Sequence, residues 1–287
     1  MVMPWCASAP HHITAVFIPY DSTSLLGAGS IGVGLAVEPR LRACLPGPEE
    51  PPTSTAARVV RLLQLDGGLG SFTMPLPPGK GYAVSATSAI ATALAGVTVS
   101  GRKVGLLEAL QAAHKAEILE RTGLGDVLAI SCGVGMVMRL VPGAPGVGRA
   151  ECVPVPRSVS VISLEGEGTL WTGRLLEEEY LSRGRRLAGE ALRRVFEERS
   201  LEAFAEEATR YTEELGLAGR VLGGGSSVLR RVPGLIGYYA KKRLVVVLVE
   251  SNLAGDALEV LEGLAGARAR LLAPSERGVE VWWDYGS

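Results

Sequence analysis

Side-chain amides are almost missing from this chain. Its 287 residues include one asparagine, Asn252, and two glutamines, Gln64 and Gln111. Lysine is also scarce, since only Lys80, Lys103, Lys115, Lys241 and Lys242 stand among the 29 basic residues. Few heat-labile amides point to a heat-adapted source and predict an unfolding midpoint above about 65 °C. Neither charge is in surplus. A net charge of −1 and a pI of 6.4 exclude a broadly basic face for nucleic acid or an anionic membrane. No run is long enough to span a bilayer, the longest apolar stretch being Leu244–Val249. The opening MVMPWCASAP lacks a basic and apolar leader, so the expected location is cytoplasmic. Four scattered cysteines, Cys6, Cys44, Cys132 and Cys152, have no metal-ligand spacing and are expected as buried, reduced thiols. The three histidines are His11, His12 and His114.

Apolar residues are plentiful at 47 %, enough for the core of one large domain or two ordinary ones. The β-branched runs predict strands at His12–Tyr20, Ile31–Val37, Val59–Leu65, Val159–Leu164 and Leu244–Glu250, with a last one at Gly278–Tyr285. Val127–Leu140 reads as a strand interrupted by Gly133 and Gly135. Helices are expected at Leu106–Arg121 with Gly123 as its C-cap, at Ser182–Arg199 and Ser200–Leu215 behind serine caps, and at Asp256–Ala265. The Pro/Gly-rich stretch Pro142–Pro156 is a candidate boundary. The class is α+β.

One stretch stands out, PLPPGKGYAVSATSAIATALA over Pro75–Ala95. A Pro/Gly loop feeds small residues and hydroxyls into an Ala-rich helix. Such a helix start carries free N–H groups and seats a phosphate, although Ser and Thr there also serve as ordinary caps. On the Leu106–Arg121 helix, Leu107, Leu110, His114 and Glu117 share one face. Asp126 follows a glycine turn in RTGLGDVLAIS, and Arg139 ends GVGMVMR. Each residue alone has a structural explanation. Together they form the set that phosphoryl transfer requires: N–H donors, oxygen ligands for Mg²⁺, and a carboxylate near the attacking hydroxyl. No Walker A loop is present. The Rossmann-like GAGSIGVG is discounted because its acidic partner, Glu38, comes too soon.

The motifs PHHIT (10–14), GAGSIGVG (27–34), GKGYAVSATSAIATAL (79–94), HKAEILERTGLGDV (114–127) and GVGMVMR (133–139) resemble those of the galactokinase, homoserine kinase, mevalonate kinase and phosphomevalonate kinase superfamily. Within it they are most similar to the archaeal pantoate kinases. LWTGRLL (170–176) and VLGGGSSVL (221–229) extend the likeness more loosely. The resemblance implies two lobes: residues 1–155, like ribosomal protein S5 domain 2, and a ferredoxin-like 156–287. It implies transfer of the ATP γ-phosphate to the primary hydroxyl of pantoate, within coenzyme A synthesis, by a homodimer using Mg²⁺. Gly79, Gly81, Ser85, Ala86, Thr87 and Ser88 match the nucleotide loop. Ser85 and Glu117 match the metal-holding pair, and Asp126 the aspartate near the acceptor hydroxyl, which makes Asp126, Glu117 and Ser85 the catalytic set. Ser30, His114, Arg139 and Thr172 match the acceptor site. Homoserine or mevalonate as acceptor, or a non-catalytic sensor of the same fold, are the alternatives.

Overall fold

The structure, a computed structural model, describes residues 4–65, 68–97, 103–169, 182–264 and 267–284. Two long strands form its spine. β1 (Trp5–Tyr20) and β2 (Gly29–Glu49) pair antiparallel along nearly their whole length. β3 (Gly70–Thr73) and β4 (Met136–Val141) pair with different parts of β2, and β5 (Arg149–Val153) pairs with β4. The chain then builds β6 (Val159–Glu165), β7 (Leu235–Lys241), β8 (Leu244–Glu250), β9 (Arg268–Pro274) and β10 (Glu280–Trp283). Among the described residues the sheet runs β10-β1-β2-β9-β6-β8-β7, because β9 pairs with both β2 and β6.

Helix α2 (Val84–Gly96) lies at the centre, packed on β1, β2, α1 (Ser54–Leu63) and α3 (Leu106–Leu119). Every residue of α2 except Ser85 is buried. Its Ala, Ser, Thr and Gly residues suit that position, since small side chains let neighbours approach on all sides. α4 (Asp126–Cys132) follows α3, and α5 (Ser182–Glu198) and α6 (Leu201–Glu214) pack on β1 and β7. α7 (Leu217–Leu222) and α8 (Ala254–Glu262) complete the helices described. None of these is long and apolar enough to cross a membrane.

Several expectations need correction. Val59–Leu63 belongs to helix α1, and Gln64 caps it, so the expected strand Val59–Leu65 is not formed. Thr53 caps the helix start by accepting from the Ala56 N–H at 3.1 Å, and Ala56, Val59 and Leu63 bury at helical spacing. Val127–Leu140 is two elements, because Gly133 at φ 64° ends α4 and Gly135 at φ 52° opens β4. Gly123 does not cap α3. The chain reverses at Arg121, at φ 52°. The glycine run 221–229 is partly helical, with 3₁₀ turns over Gly223–Arg231. The cysteines are not free thiols either. Cys6 bonds Cys44 and Cys132 bonds Cys152, because strand register and the α4–β5 packing bring distant positions together.

Candidate active site

The loop before α2 is held open by its neighbours. Lys80 Nζ donates to Gly166 O at 2.6 Å and Gly168 O at 2.7 Å. His11 Nδ1 donates to Tyr82 O at 3.1 Å, and the Tyr82 hydroxyl donates to Glu165 Oε1 at 2.9 Å. A Cβ on Gly81, at φ 135°, would lie 2.8 Å from Lys241 O, so only glycine fits there. Ala83 takes a left-handed φ of 54° and offers the helix no side-chain cap. The first turn of α2 therefore lines a cavity with no side chain capping its N–H groups. This cavity, about 490 Å³ of space open to solvent on one side, is lined by Gly79, Gly81 to Ala86, Glu117, Thr122 and Asp126, with Thr14, Lys241 and Lys242.

A second cavity adjoins it, lined by Ser30, Phe17, Gly123 to Asp126 and Arg139, again with Thr14, Lys241 and Lys242. Asp126 lies between the two. Its Oδ1 accepts from His12 Nδ1 at 3.0 Å and from the Thr14 hydroxyl at 3.2 Å. Arg139 Nη1 donates to Thr14 Oγ1 at 3.3 Å, closing a chain from cation to carboxylate. The glycines of GAGSIGVG make room for this. A Cβ on Gly32 would meet Arg139 Nη2 at 2.6 Å, and one on Gly34 would meet His12 Nε2 at 2.8 Å. That motif is thus a packing device beneath the site.

The two carboxylates behave oppositely. Burial pushes Glu117 up to about 8, helped by the negative charge of Asp126. Burial would also raise Asp126, but the His12 hydrogen bond and the charges of Arg139 and Lys241 hold it well below the usual carboxylate range. His12 itself is lowered by burial, so at neutral pH the pair is a neutral imidazole donating to an anionic carboxylate. Asp126 is therefore ionised at neutral pH, with its side chain 24 % exposed. Glu117 is 1 % exposed and lies against Gly123, where a Cβ would stand 2.0 Å from its Oε1.

Glu117 and Ser85 line the same cavity and offer a carboxylate and a hydroxyl, the hard oxygen donors that Mg²⁺ takes. A cation there would favour the anionic form of Glu117 that burial disfavours. The donor set fits such an ion.

Of the other expected residues, Gly79, Gly81, Ser85 and Ala86 line the first cavity, and Ser30 and Arg139 the second. Thr87 and Ser88 line neither; their hydroxyls bond Ala83 O at 3.0 Å and Ser85 O at 3.0 Å. His114 also lines neither. Its Nε2 meets the carbonyls of Leu25 and Ala28 at 3.1 and 3.0 Å, which supports the turn before Ser30. Thr172 and the LWTGRLL stretch lie outside the described residues. Sequence reasoning missed His12, Thr14, Lys241 and Lys242. For the lysines a signal existed, since two of a lysine-poor chain's five stand side by side.

No family model matches the chain. A pantoate kinase of Thermococcus kodakarensis is 32 % identical over 166 residues, covering 50 % of this chain and 53 % of that protein. A pantoate kinase of Methanospirillum hungatei is 29 % identical over 160 residues, covering 49 % and 54 %. The chain thus spans about half the length of the curated relatives it matches. Solved structures match over nearly the full length. A phosphotransferase related to the CoA biosynthesis pathway superposes with TM-score 0.79 at 24 % identity, covering 99 % of this chain and 100 % of that one. Mevalonate-3-kinase of Thermoplasma acidophilum gives 0.67 at 13 %, covering 98 % and 99 %. The chain has the fold of these solved proteins. MDDEF, solved with MVAPP, AMPPCP and magnesium, matches with TM-score 0.66 at 12 % identity, covering 98 % and 99 %. In this kinase-fold chain, Glu117 and the first turn of α2 line one cavity, Arg139 lines its neighbour, and Asp126 lines both.

Proposed function

We propose that this chain is an ATP-dependent kinase that phosphorylates the primary hydroxyl of pantoate. The observation that carries the reading is the pair of joined cavities. One offers an uncapped helix start and a carboxylate–hydroxyl pair, the other a buried arginine, and an ionised aspartate stands at the join. The likeness to two pantoate kinases over half the chain favours pantoate over other hydroxy acids.

In this mechanism the triphosphate rests on the N–H groups of the loop and of the first turn of α2. Mg²⁺, held by Glu117 and Ser85, would supply charge neutralisation at the phosphates. Arg139 holds the acceptor carboxylate through its guanidinium fork. Asp126 orients the hydroxyl and takes its proton late, because the transition state is loose. His12 and Thr14 fix Oδ1 of Asp126, so the proton goes to a carboxylate already aimed.

A coupled ADP-release assay with pantoate, homoserine and mevalonate tests the reading. Turnover is expected with pantoate. A clear preference for homoserine or mevalonate would reassign the acceptor, and no turnover with any of the three would overturn the kinase reading.

A further inference from the structure

Four residues line both cavities: Thr14, Asp126, Lys241 and Lys242. The first two belong to the hydrogen-bonded chain already described. The lysines come from the far end of the sequence, Lys241 ending β7 and Lys242 on the turn to β8.

That turn is fixed against the nucleotide loop. The Arg243 N–H donates to Lys80 O at 3.1 Å, and Lys241 O leaves room only for glycine at position 81. Lys242 takes a left-handed φ of 54°, a strained conformation for a lysine that persists where neighbours hold it. Lys241 projects its Nζ over the Phe17 ring, 3.7 Å from the centroid, and Phe17 lines the second cavity. Its charge also reaches Asp126 and His12.

Residue type adds a second argument. This chain uses arginine nearly everywhere, yet a Lys-Lys pair lines the join. An ammonium is a compact point charge on a flexible stem, suited to follow a group that moves, whereas a guanidinium fork suits a fixed planar carboxylate.

We infer that Lys241 is the cation that neutralises the phosphoryl group as it crosses from the nucleotide cavity to the acceptor cavity. This rests on the kinase reading above and adds to it a catalytic residue from outside the sequence motifs. In the step, the acceptor oxygen bonds to the γ-phosphorus while the bond from that phosphorus to the β–γ bridging oxygen breaks. ADP leaves with the electron pair, and the hydroxyl proton passes to Asp126. Lys241 exchanges neither proton nor electrons. It stabilises charge spread over the equatorial oxygens, where a prepositioned cation is most effective.

The test compares Lys241→Met, Lys241→Arg and Lys242→Ala with wild type by steady-state kinetics and by calorimetric binding of AMPPCP. Methionine keeps an apolar stem over Phe17 and removes only the charge. Lys241→Met is expected to lower kcat about 100-fold, with KM for both substrates and the AMPPCP Kd within about threefold of wild type. Lys241→Arg is expected to recover at least about a tenth of wild-type kcat, and Lys242→Ala to lose less than Lys241→Met. A Lys241→Met enzyme with near wild-type kcat, or a loss carried by AMPPCP affinity alone, would overturn the inference while the kinase reading stands. A wild-type protein that phosphorylates none of the three acceptors overturns both.

Discussion

Gly123 offers a severe test of the site, because one methyl group probes both carboxylates. A Cβ there would stand 2.0 Å from Glu117 Oε1, 2.9 Å from its Cδ and 3.1 Å from Asp126 Oδ2. Ordinary contact begins near 3.4 Å, so in Gly123→Ala the Glu117 carboxylate must retreat by more than 1 Å or the backbone must shift. Glu117 is buried but lines the first cavity, so its carboxylate retreats into the space where the cation of the proposed mechanism would sit. Overpacking of this kind costs about 1–3 kcal/mol of stability, which a folded protein survives. A displacement of about 1 Å at a catalytic group costs about 100-fold in rate. Gly123→Ala is therefore expected to fold, to melt a few degrees lower, and to lose about 100-fold in kcat in the ADP-release assay. A variant that folds and turns over within about threefold of wild type would refute the claim that Glu117 must sit where it does.

Three further outcomes are expected. Asp126→Ala and Glu117→Ala each lose nearly all turnover while circular dichroism stays native, and near wild-type rates in both would sink the mechanism. Arg139→Ala raises the pantoate KM far more than the ATP KM, and equal effects on both would count against a carboxylate contact. Burial lowers His11 from 6.5 to about 4, so the unfolded chain takes up the proton first. His11 thus contributes stability that is complete above pH 6.5 and is lost as pH falls toward 4, about 3 kcal/mol in all. Glu117, raised to about 8, acts in the opposite sense, losing its contribution as pH rises from 4.5 through 8. The readout is therefore the difference between wild type and His11→Gln in urea unfolding at pH 7 and pH 4, from which Glu117 cancels. A difference that does not change with pH would mean that the ring is not held neutral in the fold.

Much of the fold could be read from local pattern. The β1 and β8 runs, the two charged helices α5 and α6, and the helix carrying Glu117 all announce themselves by periodicity. The failures share one cause. Val59–Val60 looks like strand because both are β-branched, yet Thr53 and the spacing of Ala56, Val59 and Leu63 set the helix. Asp126 opens a short helix that glycines on both sides conceal within an apolar run. Glu117, Asp126, Ser85 and Arg139, which line the two cavities, stand in local motifs that the sequence displays. His12, Thr14 and the lysine pair were not legible, because their meaning comes from register and packing. His12 reaches Asp126 across 114 positions of sequence, and Lys241 faces Phe17 across 224. The disulfides were missed for the same reason, since only the pairing of β1 with β2 sets Cys6 opposite Cys44.

Helix α2 begins at Ala83, with no hydroxyl or carboxylate to satisfy its first N–H groups. At φ 54° that residue lacks the extended backbone from which a serine or aspartate caps a helix, so the donors stay open to the anion of the proposed mechanism. Stability without ligand and affinity for ligand thus compete for the same few hydrogen-bond donors, and this chain has left them to the ligand. Whatever anion settles on that turn completes the central helix of the fold, so the protein should be most firmly assembled when it is loaded.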